Sequence, residues 1–115
     1  MSLVIYHNPR CSKSRQTLEL VQQKSNDIEV IEYLKTPPSA EELTAIIAML
    51  GISARTLIRT KETEYKTSGL EDKSLTDQQV IELMVNNPKV IERPIVVANG
   101  KAAIGRPPEN VLDIL

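Results

Sequence analysis

The chain has 115 residues, enough for one compact domain, and 41% of them are hydrophobic, so it can bury a core without staples, which argues against disorder. With no Trp, no Phe and three Tyr, a platform of aromatic side chains for stacking bases is hard to assemble, and fourteen basic against fifteen acidic residues leave a net charge of −1; nucleic acid is therefore not an expected partner. A single cysteine excludes an internal disulfide.

Leu3-Val4-Ile5-Tyr6 is a short run of strand formers, and Asn8-Pro9 behind it signals a turn. This apolar run is too short for a secretion signal, and no stretch approaches the roughly twenty apolar residues of a membrane span, so a cytoplasmic protein with no membrane partner is expected. From Ser12 the pattern turns helical, with Leu18, Val21 and the stem of Lys24 on one face, until Ser25-Asn26-Asp27 stops it. Cys11 therefore stands at a strand-to-helix junction. Ile28 to Leu34 predicts a second strand.

Thr36-Pro37-Pro38 breaks the chain, and Ser39 with Glu42 forms a capping box in front of Leu43, Ile46, Ile47 and Leu50, a helix that Gly51 closes. Lys61 to Ser74 is polar and reads as short helical turns and loop. Thr76 with Gln79 forms a second box, opening a helix through Val80, Leu83 and Met84 that ends at Asn86-Asn87-Pro88. Pro94 to Ala98, then Asn99-Gly100, then Lys101 to Ile104 is a β-hairpin pattern, since Asn-Gly suits the type I′ turn. A last short helix is expected over Glu109 to Leu115, behind Pro107-Pro108. There is no repeat and no linker. The order β-α-β-α, helical stretch, β-β-α predicts a single α/β domain over 1–115, in which two parallel strands and an antiparallel hairpin share a mixed sheet.

The segment HNPRCSKSR, residues 7 to 15, holds both the only cysteine and the only histidine. A filler cysteine gains nothing from charged neighbours. Here His7, Arg10, Lys13 and Arg15 surround it. The thiolate is the nucleophile, and a free thiol is only a few per cent ionised at neutral pH. A helix N-terminus and a close cation can each favour the thiolate by about 1 kcal/mol, and Ser14, one turn on, could donate its hydroxyl to the sulfur. His7 reads either as a strand-end residue facing solvent or as a partner of the thiol. Arg10 and Arg15 are open to the same two readings; Lys13 reads as a solvated charge. No metal site is expected.

Two familiar thiol motifs are absent. A C-x5-R phosphatase loop would need Arg at position 17, where Thr17 stands, and a C-x-x-C dithiol would need Cys at position 14, where Ser14 stands. Any disulfide must then form with an external partner. Arg59 in LIRTKE, Arg93 in ERPIV and Arg106 in GRPPE lie in polar or breaker-rich contexts, and together they could gather a small tetrahedral oxyanion near the thiol, which the arginine fork matches bidentately.

HNPRCSKSR, LIRTKE, ERPIV and IGRPPE together resemble the glutaredoxin-coupled arsenate reductase (ArsC) family over nearly the whole chain. The resemblance implies a thioredoxin-like fold with a helical insertion at about 52–88, before the third strand. It implies reduction of arsenate to arsenite, with no bound cofactor and with glutathione as co-substrate and glutaredoxin as partner. It further implies Cys11 as nucleophile, Arg59, Arg93 and Arg106 as the oxyanion clamp, and His7, Asn8, Ser14 and Arg15 as supports of the thiolate. Pro94 opens a strand, where a missing N–H is tolerated, and thioredoxin-like folds keep a cis proline beside the thiol; a cis Arg93-Pro94 bond is expected. A monomer is expected, since no apolar stripe demands a dimer. Two other readings stand beside this one: a glutathione-linked thiol oxidoreductase acting on another substrate, and a non-catalytic redox-sensing or polymerase-binding module of the Spx type, against which Ser14 argues because those proteins commonly carry C-x-x-C.

Overall fold

The computed structural model describes residues 3–115. Four strands form one mixed sheet in the order β2-β1-β3-β4, with β1 at Leu3–His7, β2 at Ile28–Glu32, β3 at Ile95–Ala98 and β4 at Lys101–Ile104. β1 and β2 are parallel, in register from Leu3 opposite Ile28 to His7 opposite Glu32, and the helix α1 (Ser12–Lys24) makes the crossover between them. β3 runs antiparallel to β1, and β4 antiparallel to β3. The hairpin turn is as expected: Asn99 and Gly100 both take positive φ, 58° and 71°, which is the type I′ geometry.

The chain divides into two compact units, one comprising Met1–Thr36 with Arg93–Leu115, the other Pro37–Glu92. In the first, the side-chain period of two puts Leu3, Ile5, Val96 and Ala98 on one face of the sheet, since Leu3 pairs with Ala98 and Ile5 with Val96. That face is covered by Val21 of α1 and by Val111 and Ile114, and all seven residues are buried. The last two lie in a 3-10 segment, Pro108–Ile114, where an α-helix was expected. Proline at its start supplies a fixed φ but no N–H, and seven residues suffice to lay two apolar side chains on the sheet.

The second unit is helical. α2 (Ala40–Leu50) and α4 (Asp77–Asn86) each open on the expected reciprocal capping box, Ser39 with Glu42 and Thr76 with Gln79, and Gly51 ends α2 at φ 68°. The two helices pack on each other and bury Leu43, Ile46, Ile47, Val80, Ile81 and Met84. The polar stretch after residue 60 contains only a short helix, α3 (Thr63–Thr67), with no buried residue. Ile58 and Ile91 form an isolated antiparallel bridge in this unit. The helical stretch placed by sequence at about 52–88 falls inside this unit, and α2 belongs with it. Among the described residues no helix is long and apolar enough to cross a membrane.

Candidate active site

β1 ends at His7 and α1 begins at Ser12, so the thiol loop occupies the four residues between them. Asn8 builds the turn. Its Oδ1 accepts the Arg10 N–H at 3.0 Å, and its carbonyl accepts the Cys11 N–H at 3.0 Å. Below the turn, the Asn8 N–H donates to Ser14 Oγ at 3.0 Å, and the same oxygen lies 2.7 Å from His7 Nδ1. His7, Asn8 and Ser14 are all buried. Arg15 closes the loop from outside, donating from Nη1 to the Pro9 carbonyl at 2.9 Å. The bonds to Ser14 and from Arg15 tie the loop to the first turn of α1.

Cys11 is the N-cap of α1 and its thiol is partly exposed. Burial pushes the thiol pKa up, but the Ser14 N–H, the Arg93 guanidinium, acting by hydrogen bond and by charge, and the Lys13 N–H together leave it below the ordinary thiol value. The hydroxyl of Ser14 takes no part in this, contrary to expectation: it is engaged by His7 and Asn8, and the backbone amide of the same residue serves the sulfur. Lys13 likewise contributes through its amide. Burial lowers the His7 pKa, with Arg15 adding to the effect and Glu32, its neighbour across the strand pair, opposing it. Burial therefore favours the neutral ring of His7, and which of Nδ1 and Ser14 Oγ donates in their 2.7 Å contact depends on the tautomer.

Two arginines reach the thiol from the far end of the chain. Arg93 hydrogen-bonds the sulfur, and Arg106 Nη1 stands 4.0 Å from Sγ and 3.5 Å from the Arg93 carbonyl. The Arg93-Pro94 bond is cis, as expected; Arg106-Pro107 is cis too, which the sequence reading does not include. Gly105 fixes the approach of Arg106. Its N–H donates to the Pro94 carbonyl at 2.9 Å and its carbonyl accepts from Thr17 Oγ1 at 3.3 Å. A Cβ at this position would press into Thr17 and to within 2.8 Å of Pro94 Cγ, so only glycine lets the segment lie against α1.

Cys11, Arg93 and Arg106 are thus brought together, with His7 at the end of β1, Asn8 in the loop and Ser14 and Arg15 on the first turn of α1 around them. Arg59 lies in the second unit, where Nη1 pairs with Glu92 Oε1 at 2.8 Å and its own N–H donates to Val90. Three contributors escape the sequence reading. Tyr33 reads there as a strand residue but follows β2 and lies buried near Arg93; Thr17 appears there only as the residue that breaks a phosphatase loop and Gly105 only as a letter of IGRPPE, neither with a role of its own. Among the described residues no group of His, Cys, Asp and Glu is placed to hold a metal ion.

The model of the ArsC family matches residues 6–114. The chain belongs to the ArsC family. An arsenate reductase from Neisseria meningitidis serogroup A is 46% identical over 112 residues, covering 96% of each chain. The Escherichia coli K12 protein YfgD is 56% identical over 112 residues, 96% of this chain and 94% of that one. Among solved structures, an arsenate reductase from Vibrio cholerae superposes with a TM-score of 0.94 at 52% identity, over 100% of this chain and 98% of its own. The fold of this ArsC-family member is thioredoxin-like, and its thiol occupies the start of the first helix after the first strand.

Proposed function

We propose that this chain is an arsenate reductase that uses Cys11 as its nucleophile and draws its reducing thiols from glutathione and glutaredoxin. The observation that carries the reading is the placement of two guanidinium groups and two helix amides around one acidified thiol. Relatives named arsenate reductase, 46% identical over 96% of the chain, point to the same oxyanion. The Cys11 thiolate displaces a hydroxyl from arsenic(V), which leaves as water, and an S–As bond forms. Arg93 and Arg106 offset the charge that gathers on the arsenic oxygens. Glutathione then supplies the second sulfur: the two sulfurs together give up two electrons, arsenic leaves as arsenite, and Cys11 is left in a mixed disulfide with glutathione. Glutaredoxin removes that glutathione and regenerates the thiol. Arg59 enters this reading through its sequence context and the resemblance. The reaction belongs in the cytoplasm, where the glutathione pool is reducing, and one copy of the chain suffices for it.

The test is NADPH oxidation in a coupled assay with glutathione, glutaredoxin and glutathione reductase. Arsenate-dependent turnover is expected, and Cys11→Ser abolishes it, because a serine oxygen cannot form the linkage that glutathione resolves. Arg93→Ala and Arg106→Ala each cost roughly 2 to 4 kcal/mol of transition-state stabilisation, as loss of an oxyanion donor does. Lysine at either position recovers only part of this, since a point charge cannot fork. Turnover that does not depend on arsenate would overturn the substrate, and appreciable activity in Cys11→Ser would overturn the mechanism.

A further inference from the structure

Beside the thiol loop lies a cleft of about 410 Å³, a size that admits a small-molecule ligand. One wall is the turn Asn8-Pro9-Arg10; the other is Glu32, Leu34 and Lys35, at and beyond the end of β2. The topology explains the meeting. His7 and Glu32 are the last paired residues of the parallel strands β1 and β2, so the two segments that follow leave the sheet at the same end. The cleft holds charges of both signs. Arg10 is exposed, and among the described residues its guanidinium pairs with no carboxylate. Glu32 meets Lys35 at 3.5 Å, but their side chains are 45% and 80% exposed, and a pair so open to water is worth little and exchanges readily for other partners. Pro9 and Leu34 supply apolar surface.

Two cations, one carboxylate and apolar surface suit an amino acid head group that is itself a zwitterion on a short methylene chain. Glutathione has such a head. Its γ-glutamyl residue carries a free α-carboxylate and α-ammonium beyond two methylenes, whereas its glycine end carries a carboxylate alone and would leave Glu32 facing a like charge. We propose that this cleft holds the γ-glutamyl head of glutathione, with Arg10 and Lys35 taking the α-carboxylate and Glu32 the α-ammonium, while the cysteinyl sulfur reaches Cys11. This rests on glutathione being the co-substrate, though not on arsenate being the substrate. The reach is sufficient: the Asn8 carbonyl accepts the Cys11 N–H and closes a four-residue turn, whose ends lie within about 7 Å of each other. A tripeptide extends to roughly 10 Å. Oxidised glutathione reports on the same seat. The Cys11 thiolate attacks one of its sulfurs, a new S–S bond forms to Cys11, the old S–S bond breaks, and glutathione thiolate leaves.

The experiment follows this exchange on the reduced protein without arsenate, by mass spectrometry of the Cys11 adduct, for the wild type, Arg10→Glu and Glu32→Gln. Three disulfides are compared: oxidised glutathione; the disulfide of N-acetylcysteine, which has the carboxylates but no ammonium; and hydroxyethyl disulfide, which has neither charge and corrects for any change in the thiol itself. Relative to hydroxyethyl disulfide, each variant is expected to slow oxidised glutathione roughly two- to fivefold, as loss of an exposed ion pair allows. Glu32→Gln separates docking from a general field. Removing a negative charge speeds the approach of any anionic reagent if the field alone acts, and slows oxidised glutathione but not the N-acetylcysteine disulfide if the ammonium seats on Glu32. An oxidised glutathione rate that is unchanged or raised in Glu32→Gln, equal slowing of the N-acetylcysteine disulfide, or no effect of Arg10→Glu would each overturn the proposal. If arsenate is reduced with glutathione while the exchange ignores Glu32, the co-substrate stands and the cleft is wrong. If the exchange depends on Glu32 and arsenate is not reduced, the substrate is wrong and the cleft stands.

Discussion

Cys11 is acidified by groups that need not move: two amides of the helix it caps and a guanidinium held against it. The consequence for stability follows from proton counting. The folded thiol has the lower pKa, so between that value and the ordinary one the unfolded chain binds more protons, and stability rises with pH. The stabilisation is fully present above the ordinary thiol value and is lost as pH falls through the folded one. Urea unfolding of the wild type and Cys11→Ser at a series of pH values isolates it, and a difference that is flat or falls with rising pH would contradict the assignment. Ser14 acts differently, through its hydroxyl. Ser14→Ala leaves the buried His7 Nδ1 and the Asn8 N–H without their shared partner, which costs about 1–3 kcal/mol. The amide that faces the sulfur survives this change. Urea midpoints should therefore fall while the thiol titration moves less than in Arg93→Ala, and the opposite ranking would place the hydroxyl on the sulfur after all.

At the scale of elements, the site is the meeting of one helix start with two segments that flank the hairpin. α1 presents its N-terminal amides because β1 feeds it through a four-residue turn. The hairpin delivers Arg93, ahead of β3, and Arg106, behind β4, to its one open end, since β3 and β4 are antiparallel and pair Ile95 with Ile104. Thr17 bonds Gly105 and so ties the second end to α1. Gly105→Ala forces a methyl group between Thr17 and Pro94, and overpacking of this kind costs about 1–3 kcal/mol. Because Arg106 is the next residue, the same substitution is expected to lower turnover by more than the stability loss explains at temperatures where the variant remains folded. Urea unfolding beside the coupled assay checks this; a destabilised variant with wild-type turnover would separate Gly105 from the placement of Arg106.

For the whole molecule, one thiol sets a limit. Reducing arsenic(V) to arsenic(III) takes two electrons, and one cysteine can supply only half of a disulfide. The protein mixed with arsenate alone should therefore form no arsenite, and arsenite should appear on addition of glutathione. Speciation of the arsenic by chromatography measures this directly. Arsenite released from the protein and arsenate alone would require a second sulfur from another copy of the chain.

Most of the elements were legible in the sequence because their causes are local. Each capping box spans four residues, Asn99-Gly100 fixes its own turn, and Gly51 ends a helix through its own φ. HNPRCSKSR likewise determined that a thiol would sit at a helix start among donors, since strand, turn and helix follow one another there. The tertiary structure decided the rest. Arg106 and Cys11 are 95 positions apart, and Thr17 and Gly105 are 88 apart, so their meeting depends on the strand order β2-β1-β3-β4 and not on any local preference. The same cause hid Tyr33, whose spelling suits a strand and whose burial near Arg93 exists only once β2 and β3 flank β1. Ser14 makes the point within a single turn: its position was readable, but whether its hydroxyl or its amide would serve the sulfur was settled by the burial of His7 and Asn8 beside it. Local sequence fixes backbone preferences; the partners of a polar atom are fixed by what the completed fold packs around it.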